Sequence, residues 1–181
     1  MIETLLDYAP GDFLLFSETV YWRLFARANA ATWPAAVLAP LAVAALLSAA
    51  ALNAQWRRLA GPGLAAAWAG VALAFLPLYR EINWAVAYVA PVFWLQAVLL
   101  MAWGVFARTT RVAPVPPLRQ GVGWATGVAA TVGWPLLSLA PGRSFDAAQA
   151  VGLAPAPTAL ATLAAVLLCA RGWRAAALAA A

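Results

Sequence analysis

The stretch that decides the fold is 84-WAVAYVAPVFWLQAVLLMAWGVFA-107, which carries no charged residue from end to end. A helix of that length rises about 36 Å, at 1.5 Å per residue, and so exceeds the hydrocarbon core of a bilayer, about 30 Å thick. Polar residues mark both of its limits, Tyr79-Arg80-Glu81-Ile82-Asn83 before it and Arg108-Thr109-Thr110-Arg111 after it. It contains Tyr88, Pro91 and Gln96. The reading is a membrane-spanning helix.

Four more runs of the same kind flank it. Thr32-Trp33-Pro34 predicts a helix start, with Thr32 as N-cap and Pro34 in the first turn, where its missing N–H costs nothing. The first span then reaches about Asn53. Gln55-Trp56-Arg57-Arg58 reads as a polar turn, and Gly61-Pro62-Gly63 opens a second span that ends near Leu78. A loop around Pro114, Pro116, Pro117 and Arg119 is too stiff and polar to cross a membrane, and Gly121 to Leu139 follows as the fourth span. The fifth runs from near Pro157 to Arg171-Gly172-Trp173-Arg174. The expected fold is therefore an all-α integral membrane protein with a bundle of about five transmembrane helices over 32–181.

Residues 1–31 read differently. Past Pro10-Gly11, Thr19, Arg23 and Arg27 recur at helical spacing opposite Val20, Tyr21, Leu24 and Phe25, the pattern of an amphipathic helix lying in the interface. A second irregular element precedes the last span. Ser144 is a suitable N-cap, Phe145 to Val151 supply two turns, and Gly152 stands where a helix ends in a left-handed residue, which predicts a short outer helix. Pro155 and Pro157 then force a bend.

Composition agrees with the spans. The 181 residues are 66% hydrophobic and 9% charged, against about 25% charged in an average soluble domain. All 11 basic residues are arginine, giving a pI near 10.4. They stand singly or in pairs between apolar runs, not clustered on one face with aromatics, so nucleic-acid binding is not expected. One cysteine, Cys169, excludes an intramolecular disulfide. The absence of histidine removes the usual haem, zinc and copper ligand sets, and no cofactor or metal site is expected. The acids Glu3 and Asp7 without a basic start speak against a cleaved signal peptide.

Arginine placement orients the bundle. Arg57, Arg58, Arg108, Arg111, Arg119, Arg171 and Arg174 fall on one side, and Arg23, Arg27, Arg80 and Arg143 on the other. The positive-inside tendency makes the first side cytoplasmic, with the N-terminus periplasmic and the C-terminus cytoplasmic. The spans do not pair into similar halves, contrary to what an inverted-repeat carrier leads one to expect.

Candidate chemistry is sparse. No acid lies within a span, which argues against a proton pump. No histidine or lysine is available to activate Ser138 or Ser144, and Cys169 is most simply an apolar residue, so no catalytic residue is assigned. Trp33, Trp56, Trp84, Trp103 and Trp173 stand near span ends, where indole rings favour the headgroup level, while Trp94 and Trp134 lie deeper. Gly123-xxx-Gly127 and Ala66-xxx-Gly70-xxx-Ala74 are packing faces for a helix of the same chain or of a second copy. The candidate ligand-binding set is Glu81, Asn83, Tyr88, Gln96, Asp146, Gln149 and Thr158. Glu81 and Asn83 beside Arg80 mark an outer mouth, with a structural ion pair as the plainer reading. Asp146, Gln149 and Thr158 are expected to share a small outer pocket with them, the plainer reading being a connector resting on headgroups.

The stretches Gly11-Asp12-Phe13-Leu14-Leu15-Phe16-Ser17, Tyr21-Trp22-Arg23-Leu24, Trp33-Pro34, Glu81-Ile82-Asn83-Trp84-Ala85 and Gly152-Leu153-Ala154-Pro155 to Thr162 together resemble a bacterial membrane family catalogued as domain of unknown function 6064. The resemblance covers nearly the whole chain and implies a multi-pass bacterial inner-membrane protein, without an activity. In that family an aspartate often stands between the two prolines of the last motif. Ala156 occupies the place here, so a metal or proton role for that aspartate would not transfer. Two functions follow as expectations: a small-solute channel or permease with an outer vestibule, or a structural or accessory subunit of a larger membrane complex. The expected partners are lipid and either further copies of the chain or other membrane subunits.

Overall fold

A computed structural model describes residues 17–106, 115–139 and 142–169. Among these every regular element is helical, and four helices are long and apolar enough to cross a membrane. Helix α1 is Glu18–Ala31 and α2 is Ala35–Leu52. Helix α3 runs without interruption from Ala54–Gly70 through a π-helical turn, Val71–Phe75, into Leu76–Arg80. Helix α4 is Val86–Phe106. Helix α5 repeats the device of α3, passing from Pro117–Val128 through a π-helical turn, Ala129–Gly133, into Trp134–Leu139. Helix α6, Pro155–Cys169, is the short fifth apolar helix. Met1 to Phe16, Arg108 to Arg111, Pro114 and Arg171 to Arg174 lie outside the described residues.

The two π-helical turns share a cause that is visible in the sequence. Each is followed by an X-Pro pair, Leu76-Pro77 in one helix and Trp134-Pro135 in the other. Proline brings no N–H and its ring presses on the carbonyl four residues back, so the preceding turn widens to make room.

Where the boundaries differ from expectation, the reasons are local. Thr32 closes α1 and does not open α2: its backbone N–H and its Oγ1 both donate to the Ala28 carbonyl, at 3.0 and 2.7 Å. Pro34, at the end of a cis peptide bond, is the residue before α2, not part of its first turn. Gln55–Arg58 is no turn but the first helical turn of α3. The reversal between α2 and α3 is made by Asn53 alone, extended at φ −135° and ψ 128°, with its Oδ1 accepting from the Gln55 N–H. Arg57 closes the corner by donating from Nε to the Ala50 carbonyl. The short outer helix is reduced to one 3₁₀ turn, Phe145–Ala147, after which Ala148 is extended. Its would-be second turn is undone because carbonyls of this segment are taken by a side chain of α1, described below. Ser144 gives its hydroxyl to the Asp146 carboxylate and caps nothing. Gly152 does hold a left-handed φ of +86°, and α6 begins at Pro155 and not at Pro157.

The main core is built of small and branched residues: Leu47, Ala60, Leu64, Leu100, Ala161, Ala164 and Leu168 are all at most 2% exposed. The outside is as apolar as the inside, with Leu38, Leu73, Val98, Val105 and Leu137 all more than half exposed. Trp33 and Trp84 stand on that surface as expected, but Trp103 is buried at 4% exposure and belongs to the core.

Close helix contact depends on glycine. A Cβ on Gly61 would lie 2.3 Å from the Leu100 carbonyl oxygen, and one on Gly104 would lie 2.2 Å from Pro62 Cδ, so α3 and α4 meet backbone to backbone. The Gly123/Gly127 face packs within the chain, against Leu168 and Ala164 of α6. Overpacking of this kind costs about 1–3 kcal/mol. Gly104→Val should therefore lower the melting temperature in detergent clearly. Gly121→Ala, where a Cβ meets nothing within 4 Å, should leave it unchanged or raise it slightly, because alanine is the better helix former by about 1 kcal/mol.

Candidate functional site

A group of polar side chains gathers at the end of the bundle where α1 lies across the end of α3 and the 3₁₀ turn Phe145–Ala147. Leu24 and Phe25 of α1 pack with Val71, Phe75 and Leu76 of α3, and Phe25 stacks on Phe75 with centroids 4.6 Å apart. Charge then fixes the exposed side. Arg27 grips Glu81 in a forked pair at 2.7 and 3.2 Å, and Arg143 pairs with Glu18 while its guanidinium carbon lies 3.8 Å over the Trp22 ring. Trp22 Nε1 also donates to Glu18.

These bonds set the ionisation of the carboxyls. The hydrogen bonds from Arg27 hold Glu81 below the ordinary glutamate value, and those from Arg143 and Trp22 do the same for Glu18. Arg27 is raised in turn by its bonds to Glu81. Tyr21 moves upward, first through burial and then through the neighbouring Tyr79, against a hydrogen bond with Gln149.

Beneath this layer lies a buried polar knot. Asn29 is 9% exposed, and its amide nitrogen donates to the carbonyls of Asp146 at 2.5 Å and Ala148 at 2.9 Å, which ties the 3₁₀ segment to α1. The Asn29 Oδ1 is buried without a donor among the described residues. Gln149 Oε1 accepts from Trp134 Nε1 at 2.8 Å, and the Gln149 N–H donates to Ser138 Oγ, whose own proton goes to the Pro135 carbonyl. Thr158 Oγ1 accepts from the Gly152 N–H and donates to the Ala154 carbonyl. Trp68 Nε1 donates to Thr162 Oγ1 deeper in the bundle.

The seven residues expected to bind a ligand are thus distributed over four environments. Glu81 is exposed and paired with Arg27, not with Arg80. Asn83 accepts from the Ala85 N–H and so caps the turn before α4. Tyr88 is 75% exposed on α4, its ring edge-on to Trp84, while Gln96, about two turns further along that helix, is buried. Gln149 and Thr158 are buried in the knot. Asp146 is exposed at the same end of the bundle as Glu81, but the two contact α1 through Arg27 and Asn29. Those positions are two residues apart, about 200° around a helix, so Glu81 and the Asp146 backbone meet different faces of α1.

Two grooves flank α2. One, of about 680 Å³, lies between α2 and α3 and is lined by Ala35, Ala39, Ala42, Gly63, Ala66 and Ala74, with Pro77 and Gly152 near its end. The other, of about 790 Å³, lies between α2 and α5 and runs from Asn29, Trp33 and Asp146 past Pro40 and Leu41 to Ala44 and Val132. Each takes part of its wall from one of the π-helical turns, Leu73 and Ala74 in the first and Thr131 and Val132 in the second. Asn29 is the residue that sequence reading missed. Its position on α1 beside the charged stripe gave no sign of a long-range role.

A family model matches residues 18–178, from the start of α1 to beyond α6. The chain belongs to DUF6064, a family of unknown function. The match to DUF6064 begins at the first residue of α1, so the clamped helix lies within the family unit. No curated protein matches the chain, and no solved structure does. Among the described residues no group of three or more His, Cys, Asp or Glu could hold a metal ion.

The clamp has a pH signature. A carboxyl held below its unfolded value contributes stability above that value, about 4.3 for glutamate, and loses it as pH falls through the lowered folded value. Hydrogen exchange of 18–31 should therefore be constant from neutral pH downward until the acid range and rise there. Glu81→Gln should bring faster exchange in α1 at neutral pH without loss of folded protein, because a solvent-screened exposed pair adds little to global stability.

Proposed function

We propose that this chain is a multi-pass protein of a bacterial inner membrane, with its N-terminus periplasmic and its C-terminus cytoplasmic, and that it acts as an accessory subunit of a larger membrane complex. The carrying observation is the groove between α2 and α3. Its walls are mostly alanine and glycine, over Ala35 to Val43 of α2 and Gly63 to Ala74 of α3, and small side chains let a further helix approach closely where lipid supplies no hydrophobic drive. A partner helix seated there completes a packing face that the chain leaves half built.

The channel reading draws less support from the geometry. Conduction needs a continuous polar lining, whereas Thr158, Thr162 and Trp68 are satisfied by one another or by backbone, and Tyr88 is on the outer surface. The seven-to-four arginine split supports the orientation, and a reporter fused after Ala181 should read cytoplasmic.

The complex is tested by mass. Extracted from its native membrane in mild detergent, the protein should run as an assembly well above one 18.9 kDa chain. Ala66→Trp, at an exposed position in the groove, should reduce it to the single chain with its own melting unchanged. Passage of small polar solutes through liposomes holding the purified chain alone would sink this reading in favour of a channel.

A further inference from the structure

We propose that the second groove, between α2 and α5, binds a membrane lipid whose headgroup ends in a primary ammonium. The site is amphiphilic along its length. Its lower part is apolar, with Pro40, Leu41, Ala44 and Val132, and Leu41 and Val132 are more than half exposed, as an acyl chain lying against them requires. Its upper end holds Asn29 and Asp146, with Trp33 at the rim, 70% exposed, where an indole suits the headgroup level.

The headgroup chemistry follows from what this end lacks. Both N–H bonds of the Asn29 amide are spent on the Asp146 and Ala148 carbonyls. A flipped amide would set its oxygen against two carbonyl oxygens, so the orientation is fixed. That leaves Oδ1 as a buried acceptor with no donor among the described residues, and such groups are rare in folded proteins and call for a partner. Asp146 adds a negative charge at the same end, its carboxylate held among the described residues by the neutral Ser144 hydroxyl. Of the four arginines on this side, Arg143 is engaged with Glu18 and Arg27 with Glu81. An orphan acceptor next to an acid asks for a cation with N–H donors. A primary ammonium has three, whereas a quaternary ammonium carries the same charge and none.

The inference rests on the membrane location proposed above but not on the partner helix, which occupies the other groove. Delipidated protein in detergent is titrated with phosphatidylethanolamine or phosphatidylcholine of identical acyl chains, and bound lipid is counted by native mass spectrometry. Phosphatidylethanolamine should bind at least about fivefold more tightly, the size of a modest coupling of about 1 kcal/mol. Asp146→Asn, which leaves the backbone carbonyl bonded to Asn29, should remove most of that preference. Ala44→Trp, which blocks the apolar part, should weaken both lipids. Equal binding of the two lipids, or a preference untouched by either substitution, overturns the proposal, as does cross-linking that places a protein helix in this groove. Loss of the assembly with lipid preference retained would count against the accessory-subunit reading alone.

Discussion

Backbone-to-backbone approach along α3 is the contact on which the other elements depend. Gly61 brings α4 within reach of its carbonyls, and Gly70 sets the Gly152 carbonyl against its surface, where a Cβ would lie 2.5 Å from that oxygen. The same helix receives α1 on Phe75 and α6 through Trp68 and Thr162. In water such contacts could be replaced by burial of larger side chains. A surface that is apolar inside and out gains little from that exchange, and close packing of small residues carries the specificity instead.

Much of this was legible in the sequence because it depends on runs and punctuation. The long apolar helix α4, the amphipathic α1 and the left-handed Gly152 all follow from local pattern. What was not legible depends on competition between local and distant partners. Ser144 to Val151 has the composition of a short helix, yet the Asn29 amide takes two of its carbonyls from more than 100 residues away. Glu81 has Arg80 as its neighbour in sequence, but Arg27 offers a forked geometry that an adjacent residue cannot reach. Gln55–Arg58 has the polarity of a turn, and only the extended backbone of Asn53 shows that one residue suffices for the reversal. Trp103 has the spacing of an interfacial anchor, but the Gly104 contact draws its face of α4 inward.

The polar inventory has a consistent use. Threonine, serine, glutamine and tryptophan donors inside the bundle close onto backbone carbonyls or each other, so the irregular backbone near Gly152 and the 3₁₀ turn is covered by protein, as a low-dielectric surrounding demands. Charges are kept to the two ends of the bundle: at one they fix α1, and at the other Arg57 and Arg119 donate to the Ala50 and Val166 carbonyls. The Asn29 oxygen stands outside that accounting.

Helix α2 forms one wall of each groove. It is joined to α3 by a single residue at one end and to α1 by a three-residue step at the other, so it has little freedom to slide. An occupant of either groove would therefore rest on the same helix, on opposite faces of it, Ala35, Ala39 and Ala42 on one side and Val37, Leu41 and Ala44 on the other.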